Sequence, residues 1–228
     1  MMGERNVLWC VKRIDFFDEL TEEGLKRVAQ ISKMLTLRRG QQIFTQSEPG
    51  DHVYCLASGR VKISRFCPEG KELIVDIIMP GGFFGEILGG GETLQDTVAE
   101  AMDDVLLCLI PRSRFEQLLR VHPELSFRLI ELIGLRLRWI ESRVADLVCK
   151  DVQARLATIL LHLAREHGTR DSRGVLLRHR ITQQQLADLI GASRGVVNQT
   201  LGDFRRRGLI SIERRRIIIS DRNALASL

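Results

Sequence analysis

The stretch ITQQQLADLIGASRGVVNQTLGDFRRRGLISIERRRIIIS, residues 181–220, constrains the fold of this chain more than any other. Thr182 followed three residues later by Gln185 is a capping box, in which each side chain satisfies a backbone N–H at the start of a helix. Leu186, Leu189 and Ile190 then fall on one face, and Gly191 is placed to end that helix. Gly191 and Ala192 leave room only for a tight turn. Ser193 is an N-cap residue for a second helix, whose Val197, Leu201 and Phe204 repeat at helical spacing and pack back on the first. The opposite face carries Arg194, Asn198 and Gln199. The helix ends in Arg205, Arg206 and Arg207 before Gly208, after which residues 209–212 and 217–220 read as two short strands around Glu213, Arg214, Arg215 and Arg216.

Two helices in tight succession followed by an arginine-tipped hairpin form a winged helix-turn-helix pattern. Arg is matched to the acceptors of guanine in the major groove, and Asn or Gln to adenine, so Arg194, Asn198 and Gln199 are the expected base-reading residues. The charge distribution supports this reading independently. Residues 1–150 hold 20 Lys or Arg and 22 Asp or Glu, a net −2, whereas residues 151–228 hold 14 and 7, a net +7. The basic excess sits where attraction to phosphate is needed.

A chain of 228 residues with 44% apolar content has room for one large or two small domains with real cores. No stretch approaches the roughly 18 uncharged apolar residues of a membrane span, and Glu4, Arg5, Lys12 and Arg13 do not form the start of a signal peptide. A cytoplasmic protein without membrane contact is expected. Cys10, Cys55, Cys67, Cys108 and Cys149 are odd in number and scattered, which points to reduced thiols rather than a disulfide framework or a C-x-x-C metal site.

Upstream, Phe16, Phe17 and Leu20 begin a short helical approach to a domain. Across residues 37–110 the pattern becomes short runs rich in Val, Ile and Phe, with Gly40, Gly50, Gly59, Gly70 and Gly81 recurring between them. Strand-like segments at 43–45, 53–56, 60–66 and 73–79 with evenly spaced turns predict a small antiparallel barrel or roll. The segment PGGFFGEILGGG, residues 80–91, is too glycine-rich for a strand and is read as a turn, with amides free to meet an anion at a short helix around Gly85 and Glu86. After Pro111 the period is helical, and one long helix is expected over residues 123–149. Ile130, Ile133, Leu137, Ile140, Val144 and Leu147 follow the alternating three-four spacing of a parallel two-stranded coiled coil. In that register Arg136 and Glu141 occupy positions that pair opposite chains. Leu129, Leu132, Leu135 and Trp139 are apolar as well, so one face is expected on the roll and the other on a second subunit. Residues 151–166 form another helix, and GTRDSRG, residues 168–174, reads as a polar loop. The expected organisation is α+β: a β-roll domain over 1–122, a dimerisation helix over 123–150 and a winged helix-turn-helix over 151–228.

This order, with the segments SGRVKISR, PGGFFGE and ITQQQLADLIGASR, resembles the CRP/FNR family of bacterial transcription regulators over residues 14–225. The resemblance implies a cyclic-nucleotide-binding-like roll and a homodimer on an inverted-repeat promoter site. It also implies contact with RNA polymerase and a small effector held between roll and long helix. Thr182, Gln183 and Gln184, together with Ser193, resemble positions that contact the DNA backbone, and Arg215 matches a basic phosphate contact.

The carry-over is incomplete. In the cyclic-AMP-binding members a glycine-glutamate pair holds the ribose, and Gly85 and Glu86 match it. Where those members hold the cyclic phosphate with an arginine and a serine, this chain has Asp96 and Thr97, and a carboxylate there repels phosphate. The adenine-contacting Thr-Ser pair maps to Ile140 and Glu141. Cyclic AMP is therefore disfavoured and no cofactor is expected. An iron–sulfur cluster is disfavoured because only Cys10 lies near the N-terminus. Haem, with Cys10, His52, Cys55 or Cys67 as ligands, and thiol oxidation remain alternatives. Members that read TGTGA half-sites use an Arg-Glu pair and a second Arg four residues on, where this chain has Arg194, Gly195 and Gln199. A half-site that shares the guanine and differs around it is expected.

A homodimeric regulator that acts without cyclic AMP is the leading function. The alternatives are an effector-gated sensor of the same family and a regulatory module that meets only proteins. An enzyme is disfavoured: there is no nucleophile elbow or phosphate loop, and His52, His122, His162, His167 and His179 form no recognisable constellation.

Overall fold

The computed structural model describes residues 6–46, 50–85 and 97–228. It comprises two compact units, Met1–Arg136 and Leu137–Leu228.

The first unit opens with α1 (Val7–Val11), a 3-10 turn (Asp15–Phe17) and α2 (Glu22–Gln30). Thr21 caps α2 by accepting from the Gly24 N–H at 3.2 Å, and Glu22 and Glu23 place negative charge at the positive end of its dipole. Eight strands follow: β1 (Lys33–Leu37), β2 (Gln42–Phe44), β3 (His52–Ser58), β4 (Val61–Phe66), β5 (Glu72–Ile78), β6 (Phe83–Gly85), β7 (Val98–Ala101) and β8 (Val105–Pro111). They form two four-stranded sheets, ordered β1-β8-β3-β6 and β2-β7-β4-β5, and every pairing among the described residues is antiparallel. Then come α3 (Arg112–Val121) and the start of α4 (Pro123–Cys149).

The first sheet is buried on both faces, which is why β8 reads VLLCLIP without alternation. One face, carrying Val53, Cys55, Leu106, Cys108 and Ile110, packs with Val11, Phe16, Phe17 and Val28 of the N-terminal segment and with Phe115, Leu125 and Leu129 of α3 and α4. The other, with Leu56, Val105 and Leu107, meets Val61, Ile63, Ala99 and Ala101 of the second sheet. The Arg60 guanidinium locks the β3–β4 corner to the β7–β8 corner through Asp103, with Nε and Nη2 donating at 2.6 and 2.8 Å.

Two expectations are corrected here. Phe83–Gly85 is a strand paired with β3 rather than a turn, and the short helix expected around Gly85 and Glu86 lies from Glu86 onward outside the described residues. Its glycine serves close approach: Gly85 has φ +99°, and a Cβ there would lie 2.6 Å from the His52 carbonyl oxygen. Arg136, read as an interchain residue, pairs with Asp76 of β5 in its own chain at 2.9 Å.

The long helix has the expected bounds. Leu125 and Leu129 are buried, whereas Ile130, Ile133, Leu137, Ile140, Val144 and Leu147 are each between 39% and 67% exposed.

In the second unit, Asp151 caps α5 (Val152–His167) by accepting from the Ala154 N–H at 2.9 Å. There follow β9 (Gly168–Asp171), β10 (Gly174–Leu177), α6 (Gln183–Ile190), α7 (Arg194–Arg206), β11 (Ile210–Glu213), β12 (Arg216–Ile219) and α8 (Arg222–Ala226). The segment 168–174, read as a polar loop, is a hairpin. It extends the wing into a sheet ordered β11-β12-β10-β9, with Val175 opposite Ile219 and Leu176 opposite Ile218. Trp139 of α4 stacks on His162 of α5, ring centroids 3.7 Å apart, and the Arg143 guanidinium donates to the Leu189 carbonyl at the end of α6. Among the described residues no helix is long and apolar enough to cross a membrane.

Candidate nucleic-acid interface

The site begins with the capping box. Thr182 Oγ1 accepts from the Gln185 N–H at 3.1 Å and Gln185 Oε1 accepts from the Thr182 N–H at 2.9 Å, which fixes where α6 starts. Gly191 ends it in the left-handed conformation, φ 67° and ψ 32°, a geometry open to glycine at little steric cost. Ser193 Oγ then accepts from the Val196 N–H at 3.3 Å and starts α7. Leu186, Ala187 and Ile190 on α6 and Val197, Leu201 and Phe204 on α7 are buried. With that face sealed, the helical period turns Arg194, Asn198 and Gln199 outward, and all three are exposed. Gln183 Nε2 donates to Asn198 Oδ1 at 2.8 Å, tying the first turn of α6 to the second turn of α7. Gln184 Nε2 donates to Asp188 Oδ1 at 2.8 Å.

The wing is the β11–β12 hairpin. Glu213 pairs with Arg216, so Arg214 and Arg215 alone form the turn, at φ 46° and 64°. Two successive left-handed residues make a two-residue turn of the kind that normally takes Asn-Gly. Ile217, Ile218 and Ile219 bury the base of the hairpin, and Arg173 in the β9–β10 turn pairs with both Glu213 and Asp171, the latter at 2.7 Å. That guanidinium holds the Asp171 carboxyl below its ordinary range, and the two carboxylates raise the Arg173 value in turn. The acid nearest the wing tip, Glu213, thus has a guanidinium partner.

Between α6, the first turn of α7 and the wing lies a cleft of about 490 Å³. Arg180, Ile181, Thr182, Gln183, Gln184 and Leu186 line one part, Arg194 and Leu201 another, and Ile212, Arg215 and Ile217 the wing side. Five of the residues singled out from sequence, Thr182, Gln183, Gln184, Arg194 and Arg215, thus converge on one concave surface. Ser193, Asn198 and Gln199 do not line it; they stand on the exposed outer part of α7. Arg180 was missed by the sequence reading, although a basic residue two positions before the N-cap Thr182 is a signal that could have found it.

The residues expected to hold an effector fall in both units and partly outside the described residues. Gly85 ends β6 and Thr97 lies half-buried before β7, while Glu86 and Asp96 fall outside the described residues. Ile140 and Glu141 are exposed on α4. Three thiols meet in the core of the first unit: Cys55 and Cys108 are directly opposed across β3 and β8, and the free Cys10 and Cys108 thiols share a hydrogen bond. All three are buried. Hydrogen bonding to Cys108 and burial push the Cys10 thiol up, and burial does the same to Cys55. His52 Nδ1 contacts the Asp51 carboxylate. Burial and raised values do not suit Cys10 and Cys55 as haem ligands, whereas Cys67 is exposed and His52, paired through Nδ1, keeps Nε2 as a donor atom.

A family model described as the cyclic nucleotide-binding domain matches residues 34–122, and one described as the Crp-like helix-turn-helix domain matches residues 154–228. A CRP-like cAMP-activated global transcriptional regulator of Mycobacterium tuberculosis is 35% identical over 202 residues, covering 87% of this chain and 90% of that one. A global nitrogen regulator of a Nostoc species is 31% identical over 186 residues, covering 81% and 83%. Among solved structures, a CRP/FNR-family transcriptional regulator from Thermus thermophilus superposes with a TM-score of 0.69 at 26% identity, over 86% of this chain and 99% of that one. These relatives are regulators, not enzymes. With a cyclic-nucleotide-binding roll, a long helix and a Crp-like helix-turn-helix DNA-binding domain in that order, the chain belongs to the CRP/FNR family of transcription regulators.

Proposed function

We propose that the protein is a homodimeric, sequence-specific regulator that binds an inverted-repeat promoter site, acts on RNA polymerase and does not depend on cyclic AMP. One observation carries the reading of the site: the cleft that gathers Arg180, Thr182, Gln183, Gln184, Arg194 and Arg215 on the surface beside α7. Arg194, at the first turn of α7, reads a guanine in the major groove, and Asn198 and Gln199 read neighbouring bases. Thr182, Gln183, Gln184, Ser193 and Arg215 hold the sugar-phosphate backbone and set the register without specifying sequence. Gly195 leaves no acceptor for cytosine beside Arg194, so the half-site departs from TGTGA.

Dimerisation is supported by the seam of α4. Six apolar residues at coiled-coil spacing are exposed along one helix face, and burying them against a second copy removes that surface from water. Independence from cyclic AMP is supported by chemistry. The Mycobacterium relative is named as cAMP-activated, but at the phosphate-clamp positions this chain has Asp96 and Thr97, and on the long helix Ile140 and Glu141. A carboxylate does not replace a guanidinium as a phosphate ligand. Burial of Cys10 and Cys55 speaks against the haem alternative at those two thiols.

The test is selection of binding sites from random duplexes with purified, ligand-stripped protein, repeated with cyclic AMP present. A palindromic site enriched without any addition is the expected result. A strict requirement for added cyclic AMP overturns effector independence, and no salt-sensitive, sequence-selective binding under either condition overturns the DNA-reading function itself.

A further inference from the structure

The cleft is lined by cations at Arg180, Arg194 and Arg215 and by hydrogen-bonding groups at Thr182, Gln183 and Gln184. That chemistry suits one sugar-phosphate strand. In B-form DNA each strand separates the major groove from the minor groove. With α7 on one bank of the strand, in the major groove, the wing turn formed by Arg214 and Arg215 reaches across the strand toward the other bank.

Of the two turn residues, Arg215 lines the cleft and Arg214 is the other. It is exposed, does not line the cleft, and enters no ion pair or hydrogen bond among the described residues. It is held at φ 46°, next to Arg215 at 64°, in a region that disfavours a side chain with a Cβ. Glycine or asparagine at this position relieves that cost, so the backbone is strained where a free guanidinium is presented. The Arg173–Glu213 pair places a guanidinium against the adjacent negative charge.

We infer that Arg214 inserts into the minor groove flanking the base-reading contacts of α7 and makes the protein select a narrow, A·T-rich step there. This inference rests on the DNA-reading function proposed above and adds a second reading element to it. Narrow minor grooves concentrate negative potential, and guanidinium enters them more readily than ammonium because it is less strongly hydrated. Arg215 grips the intervening phosphate and Arg214 reads the width beyond it.

The experiment uses the full chain and the selected site in three versions, in which the step facing the wing is A·T, G·C or inosine·C. Inosine lacks the minor-groove amino group of guanine but keeps its major-groove edge. The wild type is expected to bind the A·T and inosine·C duplexes alike and the G·C duplex more weakly, on the order of ten-fold, the value of one charge-assisted hydrogen bond. Arg214→Gly is expected to bind all three equally while its thermal midpoint does not fall, since glycine relaxes the turn, and Arg214→Lys to keep affinity but lose much of the preference. Equal wild-type affinity for the three duplexes, with a uniform loss in Arg214→Gly, overturns the inference and makes Arg214 a phosphate contact. Discrimination that survives in Arg214→Gly also overturns it. Failure of the wild type to prefer any version over random DNA instead removes the underlying DNA-reading function.

Discussion

Arg194 and Arg215 lie on one cleft, yet their substitutions should behave differently under the proposed function, which sets Arg194 against bases and Arg215 against phosphate. Arg194→Ala is expected to cost about 1–3 kcal/mol on the selected site and to relax preference at one base pair, read by affinity for single-position variants. Arg215→Ala should weaken all sequences alike and lower the slope of log affinity against log salt by about 1, seen in a salt titration. The thiols offer a check on redox and haem sensing. Cys67 and Cys149 are exposed and Cys10, Cys55 and Cys108 buried, so a thiol reagent should modify two groups quickly in the native protein and five after denaturation. At this scale the sequence was informative where a residue's role follows from its own chemistry: Thr182, Gln185, Gly191 and Ser193 took their expected places because caps and left-handed turns are decided within a few residues. The partners of Arg136 and Arg173 were not readable, since Asp76 and Glu213 come from distant strands.

Elements followed the same division. The limits of α4 and the order α6-turn-α7 were legible from periodicity. The strand orders β1-β8-β3-β6 and β2-β7-β4-β5 were not, because each joins segments far apart in the chain. GTRDSRG illustrates the point: its composition is that of a loop, and it becomes a hairpin because Val175 and Leu176 of β10 pair with Ile219 and Ile218 of β12. Gly174 permits that pairing. It has φ 133°, and an added Cβ would lie 2.0 Å from the Ile219 carbonyl oxygen. Gly174→Ala should therefore destabilise the second unit by more than the about 1 kcal/mol typical of a point substitution. Thermal unfolding is expected to show a lowered midpoint. Protection of the β10 and β12 amides from hydrogen exchange should fall at the same time, because the fault lies in their ladder.

At the scale of the whole molecule, the interface and the seam are joined by symmetry. A single winged helix-turn-helix reads only one half-site, and an inverted repeat demands two of them related by a two-fold axis. The exposed face of α4 supplies that axis if two copies pair through Ile130, Ile133, Leu137, Ile140, Val144 and Leu147. Replacing Leu137 and Val144 together by Glu places four carboxylates in one dimer seam. Both residues are more than half exposed in the single chain, so the monomer has little reason to unfold. Sedimentation should then show a dimer for the wild type and a monomer for the double variant, with the same unfolding cooperativity in each unit. Affinity for an isolated half-site should stay close to that of the wild-type protein, whereas affinity for the full inverted repeat should fall by at least a hundred-fold, because the second binding event is no longer intramolecular. Equal loss on half-site and full site would place the damage in the DNA-binding unit rather than in the pairing of copies. A double variant that remains dimeric would move the two-fold axis to another surface.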